Sequence, residues 1–290
     1  MRIGLLSTSG VQRLAGVKAL TDGLKRLGYG EDTVFIESRD GQGRNDQLPA
    51  LASELVELGC AVIIALGPYA IQAARDASTT IPIVFTGIGA NFALTRNARN
   101  MTGVVEELIE SSAKRLALLG EAIPVLGRVG IIANPDNYGR LVYLRQCQAW
   151  ARSSHATIHV YDLRDPDDVF PAFTRMSDDR IEAIVVFPDS VIFGQRDRIA
   201  QTALNNNLPG IYIYREWVAA GGLFAYGANQ EKIIRKRVSE IVAKILEGAM
   251  PGDLPLQQGE LELFINLKTA KAMKVDFPRP LLARADEVIA

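Results

Sequence analysis

Residues 1–27 join a short apolar run to a small polar loop and then to an amphipathic segment: MRIGLLSTSGVQRLAGVKALTDGLKRL. The apolar run ends at Leu6, and the hydroxyl-bearing loop Ser7-Thr8-Ser9 follows it. From Leu14 onwards a leucine or valine recurs every three or four residues, which is the spacing of one helical face. A strand, a loop and a helix in this order form the repeating unit of a parallel α/β sheet.

The same alternation continues through the first half of the chain and restarts in the second. Apolar runs that end in small or polar loops lie at residues 34–37, 61–66, 81–86, 128–133, 157–161, 183–187 and 210–214. Helical patterns separate most of these runs, so each half predicts a doubly wound parallel sheet. Ligands of open α/β sheets bind outside the carboxyl ends of the strands. The predicted fold class is therefore α/β with two doubly wound parallel-sheet lobes, each offering a binding edge.

The composition excludes several classes of function. The chain of 290 residues is 48% hydrophobic and 22% charged, with a formal net charge of −1, which is ordinary for a globular protein. Proteins that bind nucleic acids carry a basic patch or stripe. The densest basic run here, residues 232–237, is accompanied by Glu231 and Glu240 at helical pairing distance, so we expect no nucleic-acid partner. No apolar stretch reaches transmembrane length.

Catalytic and metal-binding patterns are missing from the sequence. It has no P-loop, no dinucleotide-binding glycine fingerprint, no nucleophile elbow and no HEXXH or EF-hand motif. Neither His155 nor His159 lies at the carboxyl end of a strand, where a base would activate a serine nucleophile. Cys60 and Cys147 lack metal-ligand spacing and are expected to be buried thiols. We therefore expect no enzyme, no metal site and no cofactor.

Candidate ligand-binding residues follow the strands of the first half. Ser7, Thr8 and Ser9 offer hydroxyls and backbone N–H groups before a helix, a place that attracts carboxylates or phosphates. Simple capping of that helix is an equally good interpretation. Tyr69 starts a helix and Thr86 ends a strand, so each either faces a ligand or occupies an ordinary surface or strand-end position.

A second set of candidates follows the strands of the second half. Asp189 comes after the apolar run 183–187 and either binds a ligand ammonium through a charge-assisted hydrogen bond or caps a helix. Asn134 and Asn137 lie in an Asn-Pro-Asp-Asn turn, which they shape and from which they are also placed to bond ligand oxygens. Tyr214 ends its strand and completes the set. The neighbouring Phe193 and Trp217 are expected to pack in the core or at a hinge.

Long sequence motifs extend through the C-terminal third. They are Leu208-Pro209-Gly210-Ile211-Tyr212, Arg215-Glu216-Trp217-Val218-Ala219-Ala220-Gly221-Gly222-Leu223, Tyr226-Gly227, Asp253-Leu254-Pro255, and residues 263–272 and 282–289. Upstream, residues 41–44, 48–52, 81–85 and 134–137 add to them. Together these motifs resemble those of the ABC-transporter substrate-binding proteins of the tryptophan/tyrosine-binding type, over essentially the full length of the chain.

The resemblance implies a periplasmic-binding-protein fold of type I, with two lobes joined by three crossovers. The lobes would be residues 1–106 plus 229–253 and residues 107–228 plus 254–290. A small ligand, in relatives an amino acid and in some cases an aromatic one, would close them like a hinge. The resemblance also implies delivery to a membrane permease by a monomeric, extracytoplasmic protein. The absence of a secretory leader then indicates a mature form, whereas a cytoplasmic sensing or regulatory domain of the same fold remains the alternative.

The resemblance also assigns roles to the candidate residues. The ligand carboxylate would meet Ser9 and Tyr69, the ammonium would meet Asp189, and Asn134 would reach the ligand from the second lobe. Two loops depart from the family pattern. Residues 10–14 lack the proline-bearing stretch common in relatives, and residues 86–91 lack the usual Asp-Pro pair. Arg13 and Asn91 in these loops are therefore candidates for redirecting specificity to another acid or amide.

Overall fold

The computed structural model describes residues 1–8, 10–30, 32–88, 99–106, 110–137 and 139–290. It divides into two compact units: the first unit is Met1–Glu107 with Asn229–Gly259, and the second unit is Leu108–Ala228 with Glu260–Ala290. The sequence-based division placed the last crossing at residue 253. In the structure residues 254–259 belong to the first unit, because Gln257 and Gln258 pair with a strand of that unit.

The elements alternate as the sequence predicts. The strands are β1 (Arg2–Ser7), β2 (Phe35–Asp40), β3 (Val62–Leu66), β4 (Ile83–Ile88), β5 (Met101–Val105), β6 (Arg128–Ala133), β7 (Thr157–Asp162), β8 (Ala183–Val186), β9 (Gly210–Tyr212), β10 (Phe224–Ala228), β11 (Gln257–Gln258), β12 (Leu261–Asn266) and β13 (Glu287–Ile289). The helices are α1 (Gly10–Arg26), α2 (Leu48–Glu57), α3 (Pro68–Ala77), α4 (Glu110–Ala122), α5 (Arg140–Ser154), α6 (Val169–Asp178), α7 (Ser190–Gly194), α8 (Arg196–Asn205), α9 (Arg215–Ala219), α10 (Gln230–Ile233), α11 (Ser239–Leu246), α12 (Leu267–Met273) and α13 (Arg279–Leu282).

Each unit is built on one sheet. The first sheet has the strand order β11-β5-β4-β3-β1-β2, and all of its paired strands run parallel. The second sheet has the order β13-β12-β10-β9-β8-β6-β7, and only the pair of β10 and β12 within it is antiparallel. The carboxyl ends of the parallel strands within a sheet meet at one edge, which brings together the loops predicted to bind ligand.

Continuous apolar strands account for the core of both units. All five residues of β3 are buried, and so are Ile3, Leu5 and Leu6 of β1. Strands that are covered on both faces by helices have this composition, because neither face of the sheet meets water. In the second unit Phe193 and Trp217 belong to the buried cluster, which confirms the interpretation of both as core residues.

The sequence pattern predicts helix starts at Asp165, at Asn229 or Gln230, and at Asn266, and the structure confirms them. Asp165 accepts from the backbone N–H of Asp167 and forms a capping box with Asp168. Asn229 and Asn266 each cap the helix that follows by accepting a backbone N–H three residues on. These signals are local, because a cap needs only the residues of one turn.

One local prediction was wrong. The sequence pattern predicts that Asn45 or Asp46 caps α2, but a 3₁₀ turn at Asn45–Gln47 leads into that helix instead. The helix that the pattern predicts near residues 194–206 is confirmed as α8, and the short helix α7 precedes it. The long helix predicted from residue 229 or 230 to Leu246 is also confirmed, with a π-helical turn at Ile234–Val238 between α10 and α11. There Ser239 bonds the Ile234 carbonyl five residues back, which local periodicity does not reveal.

The described residues also bear on the expected partners. No helix among them has both the length and the apolar character needed to cross a membrane. Within the same residues, no cluster of three or more His, Cys, Asp or Glu side chains is arranged to hold a metal ion. Cys60 and Cys147 are free and buried, as expected of thiols in a core.

Candidate ligand-binding site

The first binding edge begins where β1 ends. Ser7 and Thr8 are both buried, at 0% and 1% exposure. Their backbone carbonyl oxygens accept from the N–H groups of Gly41 and Gly43, at 3.0 and 2.7 Å, so the loop after β2 is tied to the loop after β1. Ser9 and Asn91, two further candidates, lie outside the described residues, as does the side chain of Arg13.

Two glycine loops meet beside Tyr69. Gly67 adopts a φ of +85° and lets the chain turn from β3 into α3, whose first turn carries Tyr69 half-buried. Gly87 adopts a φ of +87°, and a Cβ atom there would lie 3.2 Å from the Gly67 nitrogen. That nitrogen donates to the carbonyl of Thr86 at 2.9 Å. The ends of β3 and β4 are therefore joined through backbone that has no room for a side chain at Gly87.

Thr86 is fully buried, and its hydroxyl is engaged within the first unit. It donates to Oε1 of Glu106 at 3.3 Å, and Gln230 Nε2 donates to the same oxygen. Glu106 is buried at 0% exposure and directly follows β5. The sequence analysis missed this carboxylate, although it follows an apolar strand in the way that Asp189 does.

Asp189 lies at the carboxyl edge of the second sheet, between β8 and α7. Its Oδ1 accepts the backbone N–H groups of Val191 and Ile192, at 2.9 and 3.2 Å, so it caps α7. Asn134 Nδ2 lies 3.2 Å from each carboxylate oxygen, and Asn137 Nδ2 donates to Oδ2 at 3.0 Å. The capping interpretation is therefore confirmed, and the structure brings Asn134, Asn137 and Asp189 into one cluster.

The two asparagines are also held by their own turn. Asn134 Oδ1 accepts from Asp136 N at 3.0 Å, and Asn137 Oδ1 accepts from Gly139 N at 2.9 Å. Asn137 Nδ2 donates additionally to the Pro188 carbonyl at 2.9 Å. The turn-shaping role is confirmed, and a contact from either amide to a ligand stays a prediction.

The charge on Asp189 has no cationic partner in the second unit as described. All of its hydrogen-bond donors are backbone or side-chain amides, and none of the ion pairs among the described residues includes it. The carboxylate is half-buried, so it faces solvent in part. Neutral donors orient a carboxylate without cancelling its charge, which leaves it able to attract a cationic group.

Tyr214 borders an aromatic cluster close to this edge. Its ring meets that of Phe193 edge-on, with centroids 5.9 Å apart. Phe193 also packs edge-on against Trp217, and Trp217 stacks on Tyr212 at 4.8 Å. Tyr214 itself is half-buried and immediately precedes α9. Phe193, Tyr212 and Trp217 are buried, so Tyr214 is the member of this cluster that stays partly exposed.

Arg115 is a second buried charged residue that sequence analysis missed. It lies on α4 at 1% exposure and donates to Ser111 Oγ at 2.8 Å, Ser112 Oγ at 2.9 Å and the Tyr226 carbonyl at 3.3 Å. Burial lowers the pKa of its guanidinium from the usual value. Ser111 and Ser112 lie one helical turn before Arg115, so these two contacts are local. Tyr226 is 111 positions away, and nothing in the sequence indicates that contact.

Comparison with known proteins assigns the chain to a family. A sequence profile described as ABC transporter substrate binding protein matches residues 6–289. The chain belongs to this family. It is 25% identical over 265 residues to a tyrosine-binding protein of Clostridioides difficile, covering 89% of this chain and 74% of that protein. The family consists of solute-binding receptors and not of enzymes, and its members are typically extracytoplasmic.

Solved structures agree with the fold of this substrate-binding protein. A conserved domain protein of Vibrio cholerae matches with a TM-score of 0.87 and 21% identity, over 99% of both chains. A structure described as an ABC domain in complex with L-Trp, from Streptococcus pneumoniae, matches with a TM-score of 0.88 and 20% identity, again over 99% of both chains. The predicted architecture, two parallel-sheet lobes of the type I periplasmic-binding-protein fold, is thereby confirmed.

Proposed function

We propose that this protein is the extracytoplasmic receptor of an ABC importer and that it binds an amino acid, with an aromatic side chain preferred. The carboxylate of Asp189 carries the proposal. It is a half-buried negative charge that neutral donors hold in place at the carboxyl edge of the second sheet. The ammonium of an amino acid would supply the positive partner through a charge-assisted hydrogen bond.

The first unit would receive the carboxylate of the ligand. α1 and α3 both begin at the carboxyl edge of the first sheet, after β1 and β3. Backbone N–H groups in the first turn of a helix have no partner within it, and the helix dipole favours an anion there. Ser9 and Tyr69 are proposed to add side-chain hydrogen bonds, with Ser7 and Thr8 shaping the loop beneath them. Asn91 is proposed to take part in ligand selection.

The aromatic preference rests on the cluster beside Tyr214. The edge-on contact of Tyr214 with Phe193 leaves an aromatic wall at the end of the strand that precedes α9. One relative is named a tyrosine-binding protein, and one structure with the same fold is described as a complex with L-Trp. We infer that Tyr214 packs against the side chain of the ligand, while Asn134 and Asn137 contact the polar atoms of its amino and carboxyl groups.

Transport would follow from closure of the two units around the ligand. A ligand that contacts both units binds the closed arrangement more tightly than the open one and so shifts the population towards it. A membrane permease would then recognise the closed, loaded, monomeric receptor. The family assignment supports the permease partner and the extracytoplasmic location.

A ligand panel tests this function directly. Thermal-shift measurements with the twenty standard amino acids, followed by calorimetry on positives, should give stabilisation with L-tryptophan, L-tyrosine or both. A ligand at a hundredfold excess over its dissociation constant stabilises the folded state by about 2.7 kcal/mol. The matched control is 3-phenylpropionate, which keeps the ring and carboxylate but lacks the amine. Equal binding of this acid, or silence with every amino acid, would contradict the proposal.

A further inference from the structure

Each unit has one buried charged residue, Glu106 or Arg115, close to points where the chain passes to the other unit. The chain passes from one unit to the other three times, after residues 107, 228 and 259. We call these three passages the first, second and third crossings. In the first unit the residues next to these crossings include Glu106, Gln230 and Gly259. In the second unit they include Ser111 and Tyr226.

Glu106 connects the crossing segments on the side of the first unit. It follows β5 just before the first crossing, and Gln230, just after the second crossing, donates to its Oε1. Thr86, at the ligand edge of β4, donates to the same oxygen at 3.3 Å. A buried carboxylate is stable only when hydrogen bonds satisfy it, so these donors are held to it firmly. Glu106, which precedes the first crossing, therefore joins β4 through Thr86 to the start of α10 after the second crossing through Gln230.

The third crossing is tied to the residue that precedes Glu106. Gly259 donates its N–H to the Val105 carbonyl at 2.8 Å. A Cβ atom at Gly259 would lie 2.8 Å from Ile233 Cδ1 and 3.5 Å from Glu106 Cγ. A larger residue at this point would have to shift the end of the Ile233 side chain, so the segment lies close to α10.

Arg115 connects the chain near the first crossing to the chain near the second crossing, on the side of the second unit. Ser111 and Ser112 start α4 shortly after the first crossing, and Arg115 donates to both hydroxyls. Its third contact is the carbonyl of Tyr226 in β10, the strand that runs into the second crossing. The planar guanidinium makes these contacts in a fixed fork, which a flexible ammonium does not reproduce.

We propose that Glu106 and Arg115 are positioning residues that anchor the crossing segments, one in each unit, and thereby keep each unit rigid during the closing motion. The inference rests on the proposed function, because it concerns the closure that ligand binding drives. Neither residue contacts the ligand. Each acts by keeping the chain on its own side of a crossing rigid, so that ligand contacts formed in one unit select a single closed arrangement.

The anchors are tested by loosening them in the full chain. Gln230→Met removes the amide that donates to Glu106 with little change in length, and Arg115→Lys keeps the charge but loses the fork. Gln201→Met and Arg128→Lys are the matched controls, since these residues make comparable polar contacts with Asn205 and Glu182, away from the crossings. We expect both anchor variants, and neither control, to enlarge the radius of gyration of the ligand-free protein in small-angle scattering.

Two further readouts complete the test. In Gln230→Met the amide of Gly259 should exchange with solvent about tenfold faster than in the wild type. L-Tryptophan or L-tyrosine, whichever the wild type binds, should bind both anchor variants about tenfold more weakly. A lower melting temperature with unchanged ligand-free scattering and unchanged Gly259 exchange would overturn the proposal, because it would mark a merely structural role. Weaker binding with unchanged ligand-free scattering would also overturn it, since it would indicate direct ligand contact.

The proposed function can fail separately from the anchors. If the wild type binds neither amino acid, the assigned ligand class is wrong. The ligand-free scattering and the exchange rate of Gly259 still decide whether Glu106 and Arg115 hold the crossing segments.

Discussion

The side-chain amide of Asn134 lies 3.2 Å from both carboxylate oxygens of Asp189. The two residues follow β6 and β8, which are paired neighbours in the second sheet but more than fifty positions apart in sequence. The contact fixes the plane of the carboxylate, because the same oxygens also accept from Val191, Ile192 and Asn137. A ligand ammonium bound at Asp189 would therefore meet a carboxylate that is already oriented, and little entropy would be lost in arranging it.

Asp189→Asn should weaken the binding of amine-bearing ligands. A hydrogen bond to a charged group contributes about 1.5–3 kcal/mol, so the dissociation constant measured by calorimetry should rise about tenfold to a hundredfold. The variant should also lose about 1 kcal/mol of unfolding free energy, because the side-chain amides of Asn134 and Asn137 would donate to a neutral amide and no longer to a carboxylate. Asp165→Asn is the matched control, since Asp165 caps a turn in the same unit without joining the cluster. An unchanged affinity in Asp189→Asn would remove Asp189 from the site.

Binding should compact the protein. A saturating ligand should lower the radius of gyration in small-angle scattering, because the closed arrangement is the one in which both units contact the ligand. Asp189→Asn at the same ligand concentration should show a smaller change. Superimposable scattering profiles of the free and saturated wild type would argue against hinge closure.

Gly67→Ala should destabilise the first unit and weaken binding. The φ of +85° at Gly67 is strained for alanine, so we expect a loss of about 1 kcal/mol in unfolding free energy and a displaced start of α3. Gly194→Ala is the control, because Gly194 lies in a helix with open space around its Cα and a negative φ. Urea denaturation of both variants checks the difference. Equal midpoints would show that the turn after β3 tolerates a side chain.

Cys147 should resist modification and report on alkaline unfolding. Burial raises the pKa of its thiol from 9.0 to about 12, although the nearby Arg115 acts in the opposite direction. Above pH 9 the thiol of Cys147 therefore stays protonated in the folded state and ionises in the unfolded state. Its contribution to the free energy of unfolding is complete below pH 9 and is lost as the pH rises towards 12. Thiol titration with a disulfide reagent at pH 8 should find no reaction at Cys147 until denaturant is added. Rapid labelling of the native protein would contradict the burial.

Local sequence signals carried much of the fold. The caps at Asp165, Asn229 and Asn266 were predicted correctly, because each involves a side chain and the backbone of the next turn. The alternation of apolar runs and helical patterns gave the two parallel sheets. The π-helical turn before Ser239 was missed, since it does not change the residue types on which periodicity depends.

The candidate site was also predictable in part from the sequence and in part only from the tertiary structure. Ser7, Thr86, Asn134 and Asp189 are candidates because each lies at or after the end of an apolar run, which is a feature of the sequence. Their partners were not predictable, because strand neighbours in a sheet are distant in the chain. For Thr86 the sequence left a ligand contact and an ordinary strand position open, and in the structure its buried hydroxyl donates to Glu106.

The sequence by itself determined which residues form strands, where the loops are polar and to which family the motifs point. Local propensity and side-chain periodicity act within a few residues and are written into the order of amino acids. Only the tertiary structure decided that Asp189 is held by two asparagines, and that Glu106 and Arg115 gather the crossing segments of their own units. These contacts depend on which strands become neighbours, and burial then forces each charged group to find its hydrogen-bond partners there.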